Sequence, residues 1–304
     1  MNSSSPQTTS LNTEQAHPEH HALDSYSTEA LVSALVDDQR EAVEAVRAAS
    51  GDIARAVNAA TQRLREGGRL IYVGAGTSGR LGLLDSVELY PTFSWPSERA
   101  IALLAGGNKA LYKAVEGAED DFDQGAADLG AVDVQTVDVV IALAASGTTP
   151  YALGALAQAK KAGALSIGIA NNPGAPVAKN ADIGIVLNTG PEVISGSTRL
   201  KAGTSQKITL NTISSGIMVR LHKVHGNLMV DLKATNAKLV RRSVHLTQLA
   251  TGASDELASS TLQACDGSVK VAIVAILKHL TAADARALLD ASDGSVRTAL
   301  ESKP

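Results

Sequence analysis

Residues 69–93 read RLIYVGAGTSGRLGLLDSVELYPTF, and this stretch decides the fold. Its apolar run at 70–73 has the length of a buried strand. A turn with Gly74, Gly76 and Gly79 follows, and apolar residues then recur at helical spacing. The stretch therefore predicts a strand, a glycine-rich turn and a helix, in that order.

The turn has the composition of a phosphate-binding site. Glycine lets the backbone approach a ligand closely, and the first amides of a helix favour an anion. Thr77 and Ser78 add hydroxyl donors beside Gly76. These hydroxyls do not fit the dinucleotide fingerprint, and the Gly-Lys-Ser/Thr ending of a nucleotide P-loop is lacking. A phosphate cradle and a turn that only redirects the chain both remain open here.

A second hydroxyl-rich turn follows the apolar run at 137–143, and Pro150 stands where the next helix should begin. Its candidate ligand-binding residues are Ser146, Gly147, Thr148 and Thr149. Two such turns after parallel strands would share the sheet edge where α/β folds bind ligands. The pair favours the phosphate interpretation.

A third cluster, at 196–204, opens a long helix that continues to about residue 221. Ser197 and Thr198 repeat the hydroxyl theme. Arg199 could bind an anion through two parallel hydrogen bonds, or it could be an ordinary surface residue of the first turn. The sequence leaves these two alternatives even.

Bulk composition excludes several classes of protein. Among 304 residues, 44% are hydrophobic but only 3% are aromatic, so the core must be aliphatic. A net charge of −4 without a basic cluster argues against nucleic acid as a partner. A single cysteine and seven scattered histidines argue against disulfides and a metal centre. No apolar run is long enough for a membrane span or a signal core, so we expect a soluble cytoplasmic protein.

The order of apolar runs predicts an open, doubly wound, mostly parallel sheet of five strands with helices on both faces. The expected strands are at 70–73, 100–104, 137–143, 164–170 and 183–187. Two helices, at about 27–50 and 52–66, should lead into the first strand, and Pro91 should break the helix after it. The polar segment 1–25 is expected to be a mobile tail.

The remaining expected boundaries divide the chain into an α/β domain at 26–240 and a helical domain at 241–304. The helices expected near and within the second domain are at 234–251, 254–263, 269–279 and 282–291. We expect this region to serve packing or partner contact rather than chemistry.

If the ligand is a sugar phosphate, catalysis needs acid–base groups, and the candidates are Glu88, Glu116, Glu119 and the neighbouring aspartates. In an open-chain sugar the C1 aldehyde acidifies the hydrogen on C2, which a carboxylate can remove. Returning the proton to C1 gives isomerisation. Expelling a group from C3 gives elimination and requires a second carboxyl group. Spacing alone leaves both routes open.

The three turns resemble those of sugar isomerase (SIS) domains. More narrowly, the chain resembles the bacterial N-acetylmuramic acid 6-phosphate etherase family. This resemblance covers residues 69–240 and is carried by GAGTSGRLGLLDSVE, AGGNKALYKAVEGAED, LAASGTTPY, GSTRLKAGTSQK and NLMVDLKATNAKL. It implies cofactor-free cleavage of the D-lactyl ether at C3, which gives N-acetylglucosamine 6-phosphate and D-lactate in amino-sugar catabolism and cell-wall recycling.

The resemblance also implies roles for two glutamates. Glu88 would protonate the departing lactate and then activate water, and Glu119 would be the base at C2. Two positions depart from the family pattern. Leu89-Tyr90 replaces a Cys-Pro-type pair, and Thr148 stands where arginine is common, so a direct charge contact is not assumed there.

Two competing functions remain, a non-catalytic sugar-phosphate regulator and an aldose–ketose isomerase. The regulator is disfavoured because the chain has no DNA-binding module and retains both glutamates. The isomerase would leave the C3 substituent in place.

Glu88 lies ten residues beyond Ser78, about 15 Å along a regular helix. One sugar phosphate cannot easily span that distance, so either the helix ends early or Glu88 completes the site of a neighbouring subunit. We therefore expect a homodimer with composite sites, which the resemblance also implies.

Overall fold

A computed structural model describes residues 11–232 and 237–302. Its contacts separate two compact units. The first contains the chain up to Ser86 together with Arg99–Ile213, and the second contains Val87–Glu98 together with the chain from Ser214 onward. This division differs from the expected boundary at 240, because the later turns of two long helices group with the C-terminal helices.

The first unit is built on a five-stranded sheet in which every pair of neighbours is parallel. The strands are β1 Leu70–Gly74, β2 Ala100–Leu104, β3 Val139–Ala144, β4 Leu165–Ala170 and β5 Ile183–Val186. Their order across the sheet is β2-β1-β3-β4-β5. All residues of β1 and β3 are buried, as expected for strands covered on both faces. The predicted fold class is confirmed.

Helices flank this sheet on both faces. The helices of this part of the chain are α1 Thr28–Asp37, α2 Arg40–Ala48, α3 Ser50–Arg65, α4 Gly76–Phe93, α5 Phe122–Ala131, α6 Pro150–Ala162, α7 Pro176–Asn180 and α8 Lys201–Arg220. Ile71 and Val73 share a core cluster with α6 residues such as Ala155. Tyr72 points to the opposite face, where it lies against Gly82 of α4. This alternation along β1 places α6 and α4 on opposite faces of the sheet.

Two helix expectations were wrong. The segment 27–50 is interrupted after α1, so that α1 and α2 are separate helices, and Ser27 caps the first by accepting a hydrogen bond from the amide of Ala30. Pro91 does not break α4, which continues to Phe93. Pro91 has no N–H to donate to the Val87 carbonyl, so one internal hydrogen bond is absent, but α4 continues for two more residues and the Ser94 amide closes its end on the Tyr90 carbonyl.

The expected mobile tail also needs correction over its described part. Residues 11–25 contain two short 3₁₀ helices, Asn12–Glu14 and Leu23–Ser25. Thr13 is fully buried. The segment is polar yet ordered because its polar groups are hydrogen-bonded to the sheet's loops, as described below. Residues 1–10 lie outside the described part.

The second unit has its own apolar core, centred on the fully buried Cys265 and the buried face of the helix Val269–Lys278. It contains the hairpin β6 Val224–His225 and β7 Leu228–Met229, followed by α9 Ala237–Thr251, α10 Asp255–Ala264, α11 Val269–Lys278, α12 Ala282–Ala291 and α13 Val296–Glu301. The expected helix start at residue 234, and part of the NLMVDLKATNAKL motif, fall on residues 233–236, which lie outside the described residues.

No single helix in residues 11–232 or 237–302 has the length and apolar character to cross a membrane; by those two criteria alone, the bent pair α10 and α11 together would qualify.

Candidate active site

The first loop, between β1 and α4, is shaped by its glycines. A Cβ on Gly79 would lie 2.3 Å from Leu104 Cδ1 and 2.5 Å from the carbonyl oxygen of Gly74. Only glycine therefore allows the first turn of α4 to sit against the ends of β1 and β2. Gly76 has φ of +53° and is exposed, Thr77 is half-buried, and Ser78 is buried.

The second loop, at 145–149, lies beside the first because β3 is the direct neighbour of β1, with Gly74 opposite Leu143. The sheet order reverses between these two strands, and such a switch point is where α/β sheets bind ligands. The structure thus brings the two hydroxyl-rich turns to one edge, as predicted.

The carbonyl groups of Ala145, Ser146 and Gly147 in the second loop are hydrogen-bonded within the protein. The Ala145 carbonyl accepts the Asn171 amide at 3.0 Å, and the Gly147 carbonyl accepts the Val177 amide at 2.9 Å. The Asn172 side chain donates to the Ala145 and Ser146 carbonyl oxygens at 2.9 and 3.3 Å. With its carbonyls held this way, the loop offers an anion its hydroxyls, which belong to Ser146, Thr148 and Thr149.

The third cluster meets the first loop at a cavity of about 240 Å³. Its lining includes Thr77, Leu81, Arg199, Gly203 and Lys207. A Cβ on Gly203 would lie 3.5 Å from Thr77 Cγ2, so α8 passes close to the first loop. The exposed Arg199 lines the same cavity as Thr77, which supports the ligand-contact alternative over an isolated surface role.

The N-terminal amides of α8 are already bonded and do not form an open anion site. Glu192 is fully buried, and its carboxylate accepts hydrogen bonds from the amides of Lys201 and Ala202, both at 3.0 Å. Burial raises the pKa of the Glu192 carboxyl despite these two bonds. Ser197, Thr198 and Arg199 lie in the turn before the helix, not in its first turn.

Glu119 is exposed on a 3₁₀ helix, Ala118–Asp120, that packs against α6. The short helix is followed directly by α5, and α5 is pressed against the start of α6. A Cβ on Gly154 would lie 1.9 Å from the Phe122 carbonyl oxygen, and one on Gly125 would lie 2.0 Å from the Tyr151 carbonyl oxygen. Because α6 begins directly after the second loop, this packing fixes Glu119 against the helix that carries that loop.

Glu88 is an exposed residue of α4, on the same helix as Ser78. Since α4 runs unbroken to Phe93, the alternative of an early helix end is ruled out. Leu89, one of the departures from the family pattern, is buried, whereas Tyr90 is exposed.

Sequence reasoning missed the polar residues that support the three loops. Asn171 and Asn172 follow β4 and are both buried. The Asn171 side chain donates to Ser205 Oγ of α8 at 2.9 Å and accepts from Gln206. The doubled asparagine at a strand end was the available signal, because an amide at that edge can bond the neighbouring loops.

A buried ion pair near the third cluster was also missed. Lys201 Nζ lies 2.7 Å from Asp38 Oδ1, and both side chains are at most 4% exposed. His17 Nε2 is 3.5 Å from the same oxygen, and burial lowers the pKa of His17. Lys201 is therefore committed to Asp38 rather than available to a phosphate. In the described residues no cluster of three or more His, Cys, Asp or Glu side chains could hold a metal ion.

Fold and loops together define a SIS-domain protein. Residues 52–160 match the family described as glucokinase regulatory protein N-terminal SIS domain, and residues 122–213 match the SIS domain. Among solved structures, a phosphoheptose isomerase from Francisella tularensis shows 17% identity and a TM-score of 0.46, covering 64% of this chain and 99% of that one.

Comparison with curated relatives identifies a particular family among the SIS-domain proteins. The chain is 56% identical to an N-acetylmuramic acid 6-phosphate etherase of Deinococcus radiodurans over 95% of this chain and 94% of that protein. It is 50% identical to the protein of the same name from Enterobacter sp. (strain 638), over 96% and 98% of the two chains. The chain belongs to the N-acetylmuramic acid 6-phosphate etherase family.

Proposed function

We propose that this chain cleaves the D-lactyl ether of N-acetylmuramic acid 6-phosphate, giving N-acetylglucosamine 6-phosphate and D-lactate. The main support for this proposal is 56% identity, across 95% of the chain, to a relative named for this activity. The three hydroxyl-bearing loops at one sheet edge supply the phosphate anchor that this substrate needs. The reaction serves amino-sugar catabolism and cell-wall recycling, since its product is a plain amino-sugar phosphate.

In the proposed mechanism, Glu119 removes the proton from C2 of the open-chain sugar. The electron pair forms a C2–C3 double bond while the C3–O bond to lactate breaks, and Glu88 donates a proton to the departing oxygen. Glu88 then takes a proton from water as the water oxygen adds to C3, and C2 is reprotonated. The net change is consumption of one water, and both glutamates return to their starting states.

Lactate release from N-acetylmuramic acid 6-phosphate tests the reaction directly. We expect one D-lactate per N-acetylglucosamine 6-phosphate formed. An isomerase would change C1 and C2 while retaining the lactyl group. Absence of lactate at high enzyme concentration would refute the proposal.

The role of Glu119 is tested by exchange at C2. In deuterated solvent the Glu119→Gln variant should lose incorporation of deuterium at C2 by at least about a hundredfold, because an amide cannot accept the proton. Glu116→Gln is the matched control, since Glu116 is an exposed residue of the same acidic segment. Exchange that survives Glu119→Gln would assign the base to another residue.

We further propose a homodimer in which Glu88 of one subunit completes the site of the other. Support comes from the separation of Glu88 and Ser78 on one unbroken helix. Mixing inactive Glu88→Gln and Glu119→Gln subunits should restore activity, because each mixed dimer then has one site with both glutamates. With random pairing, half of the dimers are mixed and each mixed dimer has one intact site of two. The mixture should therefore have a quarter of the wild-type activity.

If both glutamates of a site came from the same chain, the mixture would stay inactive. Light scattering on the unmodified protein gives the mass of the assembly independently, and a monomer would contradict the composite site.

A cytoplasmic location is also proposed, because a charged phosphate ester does not cross a bilayer unaided. Cell fractionation with an antibody to this chain would test it, and recovery in an extracellular fraction would contradict it.

A further inference from the structure

The segment 12–14, called the N-terminal clasp below, contacts the loops that follow β4 and β5, and through Asn172 it is linked to the loop that follows β3. Asn12 Nδ2 donates to Asn188 Oδ1 beyond β5 at 3.2 Å. Thr13 is bonded to Asn172 beyond β4. A Cβ on Gly196 would lie 3.3 Å from Glu14 Oε2, so the clasp also reaches the third cluster.

Thr13 and Asn172 form a buried, two-point contact. The Thr13 amide donates to Asn172 Oδ1 at 3.2 Å, and Asn172 Nδ2 donates to Thr13 Oγ1 at 3.0 Å. The two residues are only 0% and 2% exposed, so the competing water that weakens surface hydrogen bonds is excluded.

This contact fixes which way the Asn172 amide points. With Oδ1 held by the Thr13 amide, Nδ2 must face the carbonyl oxygens of Ala145 and Ser146, to which it donates. A reversed amide would set oxygen against oxygen at those carbonyls. Through its amide and its hydroxyl together, Thr13 therefore holds the Asn172 side chain in the position from which Nδ2 bonds the Ala145 and Ser146 carbonyls, alongside the backbone amide of Asn171 that the Ala145 carbonyl also accepts.

We propose that Thr13 is a positioning residue of the sugar-phosphate site, which through Asn172 holds the loop at 145–149 in its ligand-binding shape. The inference rests on the proposed function, since it names a further residue of that same site. Thr13 acts on the loop and not on the reacting atoms, so its removal should weaken binding more than chemistry.

The first test is Thr13→Val, which keeps the shape and backbone amide of Thr13 but removes the hydroxyl acceptor. Loss of about one hydrogen bond predicts roughly a fivefold to tenfold rise in KM for the substrate and in Kd for N-acetylglucosamine 6-phosphate. The kcat should change less than twofold. Thr13→Ser restores the hydroxyl and should restore both constants.

Thr61→Val is the matched control. Thr61 is also buried, and its hydroxyl donates to the Val57 carbonyl within α3. Thr61→Val should leave KM and Kd unchanged, because the hydrogen bond of the Thr61 hydroxyl lies within α3 and not at the loop at 145–149. Equal KM and Kd for Thr13→Val and wild type would overturn the proposal.

Hydrogen–deuterium exchange on the unmodified protein covers the case in which Thr13→Val does not fold. N-acetylglucosamine 6-phosphate should slow exchange of the amides at 146–149 and of the Thr13 amide together. Protection of the loop alone would overturn the role of Thr13. Protection of neither would overturn the sugar-phosphate site itself, and lactate release by wild type reports separately on the reaction.

Discussion

Gly147 is the residue of the second loop that is least replaceable. Its φ is +74°, and a Cβ there would lie 2.2 Å from Ala175 Cβ. Gly147→Ala should therefore add both backbone strain and a clash within the loop, and we expect at least a tenfold rise in KM together with about 2–4 kcal/mol of lost stability.

The variant Gly190→Ala separates the backbone strain from the steric clash. Gly190 has φ of +68° with nothing within 4 Å of its Cβ position, so only the strain applies there, about 1 kcal/mol. KM values and urea denaturation of both variants check the comparison. Equal changes in KM and in the free energy of unfolding for the two variants would show that the surrounding structure shifts to relieve the clash at Gly147.

Asp138, the residue before β3, is a buried carboxylate that forms an ion pair with Arg69, the residue before β1. Burial alone would raise the pKa of the Asp138 carboxyl, but hydrogen bonds from Arg69 and from the amides of Gln135 and Arg69 outweigh it and lower that pKa. The Arg69 guanidinium lies 2.6 Å from Asp138 Oδ2. Because the folded pKa lies below the unfolded one, the stabilisation is complete above about pH 4 and is lost as pH falls through the folded pKa.

Asp138→Asn should cost about 3 kcal/mol at pH 7 and should flatten the loss of stability with acid, because it leaves Arg69 without its carboxylate. Urea denaturation between pH 7 and pH 3 measures both effects. The control is Asp133→Asn, at an exposed position with φ of +50° that asparagine also tolerates. An unchanged acid dependence in Asp138→Asn would assign that dependence to other carboxyls.

At this scale the sequence predicts residues that a ligand would contact and misses those that support them. Thr77, Ser146 and Arg199 stood out because hydroxyls, glycines and a cation cluster next to strand ends. The doubled asparagine at the end of β4 was a signal for Asn172, but nothing local marks Thr13 as its partner, because the two residues are 159 positions apart.

Among the elements, α5 and α6 are the pair on which Glu119 depends. Gly154→Ala should force Phe122 away from α6, since the new Cβ would lie 1.9 Å from its carbonyl oxygen. We expect about 1–3 kcal/mol of destabilisation and a fall in kcat of at least about tenfold, because displacement of α5 carries Glu119 with it.

Gly130→Ala is the control on the opposite end of α5. Its nearest neighbour would be Gln158 Nε2 at 3.7 Å, an ordinary contact, so alanine should leave kcat unchanged and slightly raise stability through helix propensity. A normal kcat in Gly154→Ala would show that the position of Glu119 does not depend on this packing.

Strands were predictable as elements because each is a short apolar run between turn residues. The prediction at Pro91 was wrong because the loss of one internal hydrogen bond bends or weakens a helix but does not by itself end it, and α4 continues to Phe93. The β6–β7 hairpin was missed, although its Gly226-Asn227 turn, with Gly226 at φ of +59°, was a usable signal. Strands of two residues are too short for periodicity to show.

For the whole molecule, the only cysteine of the chain is a natural probe of the second unit. Cys265 is fully buried, and burial raises the pKa of its thiol, so the reactive thiolate is scarce in the folded state. Labelling with a thiol reagent at pH 8 should be at least about a hundredfold slower than in urea-unfolded chain. The dependence of the labelling rate on urea concentration should report the opening of the core around α11.

Fast labelling of the native protein would contradict this packing. Arg69 and Asp138 lie in the first unit, so Asp138→Asn should leave the labelling rate unchanged if the two cores open independently. A parallel rise in labelling would instead mean that both units open together.

The clasp has a consequence for biosynthesis. Thr13 leaves the ribosome long before Asn172, so a nascent chain carries the first half of this contact through the synthesis of β1 to β4 without the second. On the proposed role of Thr13, the loop at 145–149 reaches its ligand-binding shape only after translation has passed the fourth strand. A nascent chain that ends before Asn172 should therefore bind sugar phosphate weakly, and the point in translation at which binding appears would mark the closure of the sheet edge.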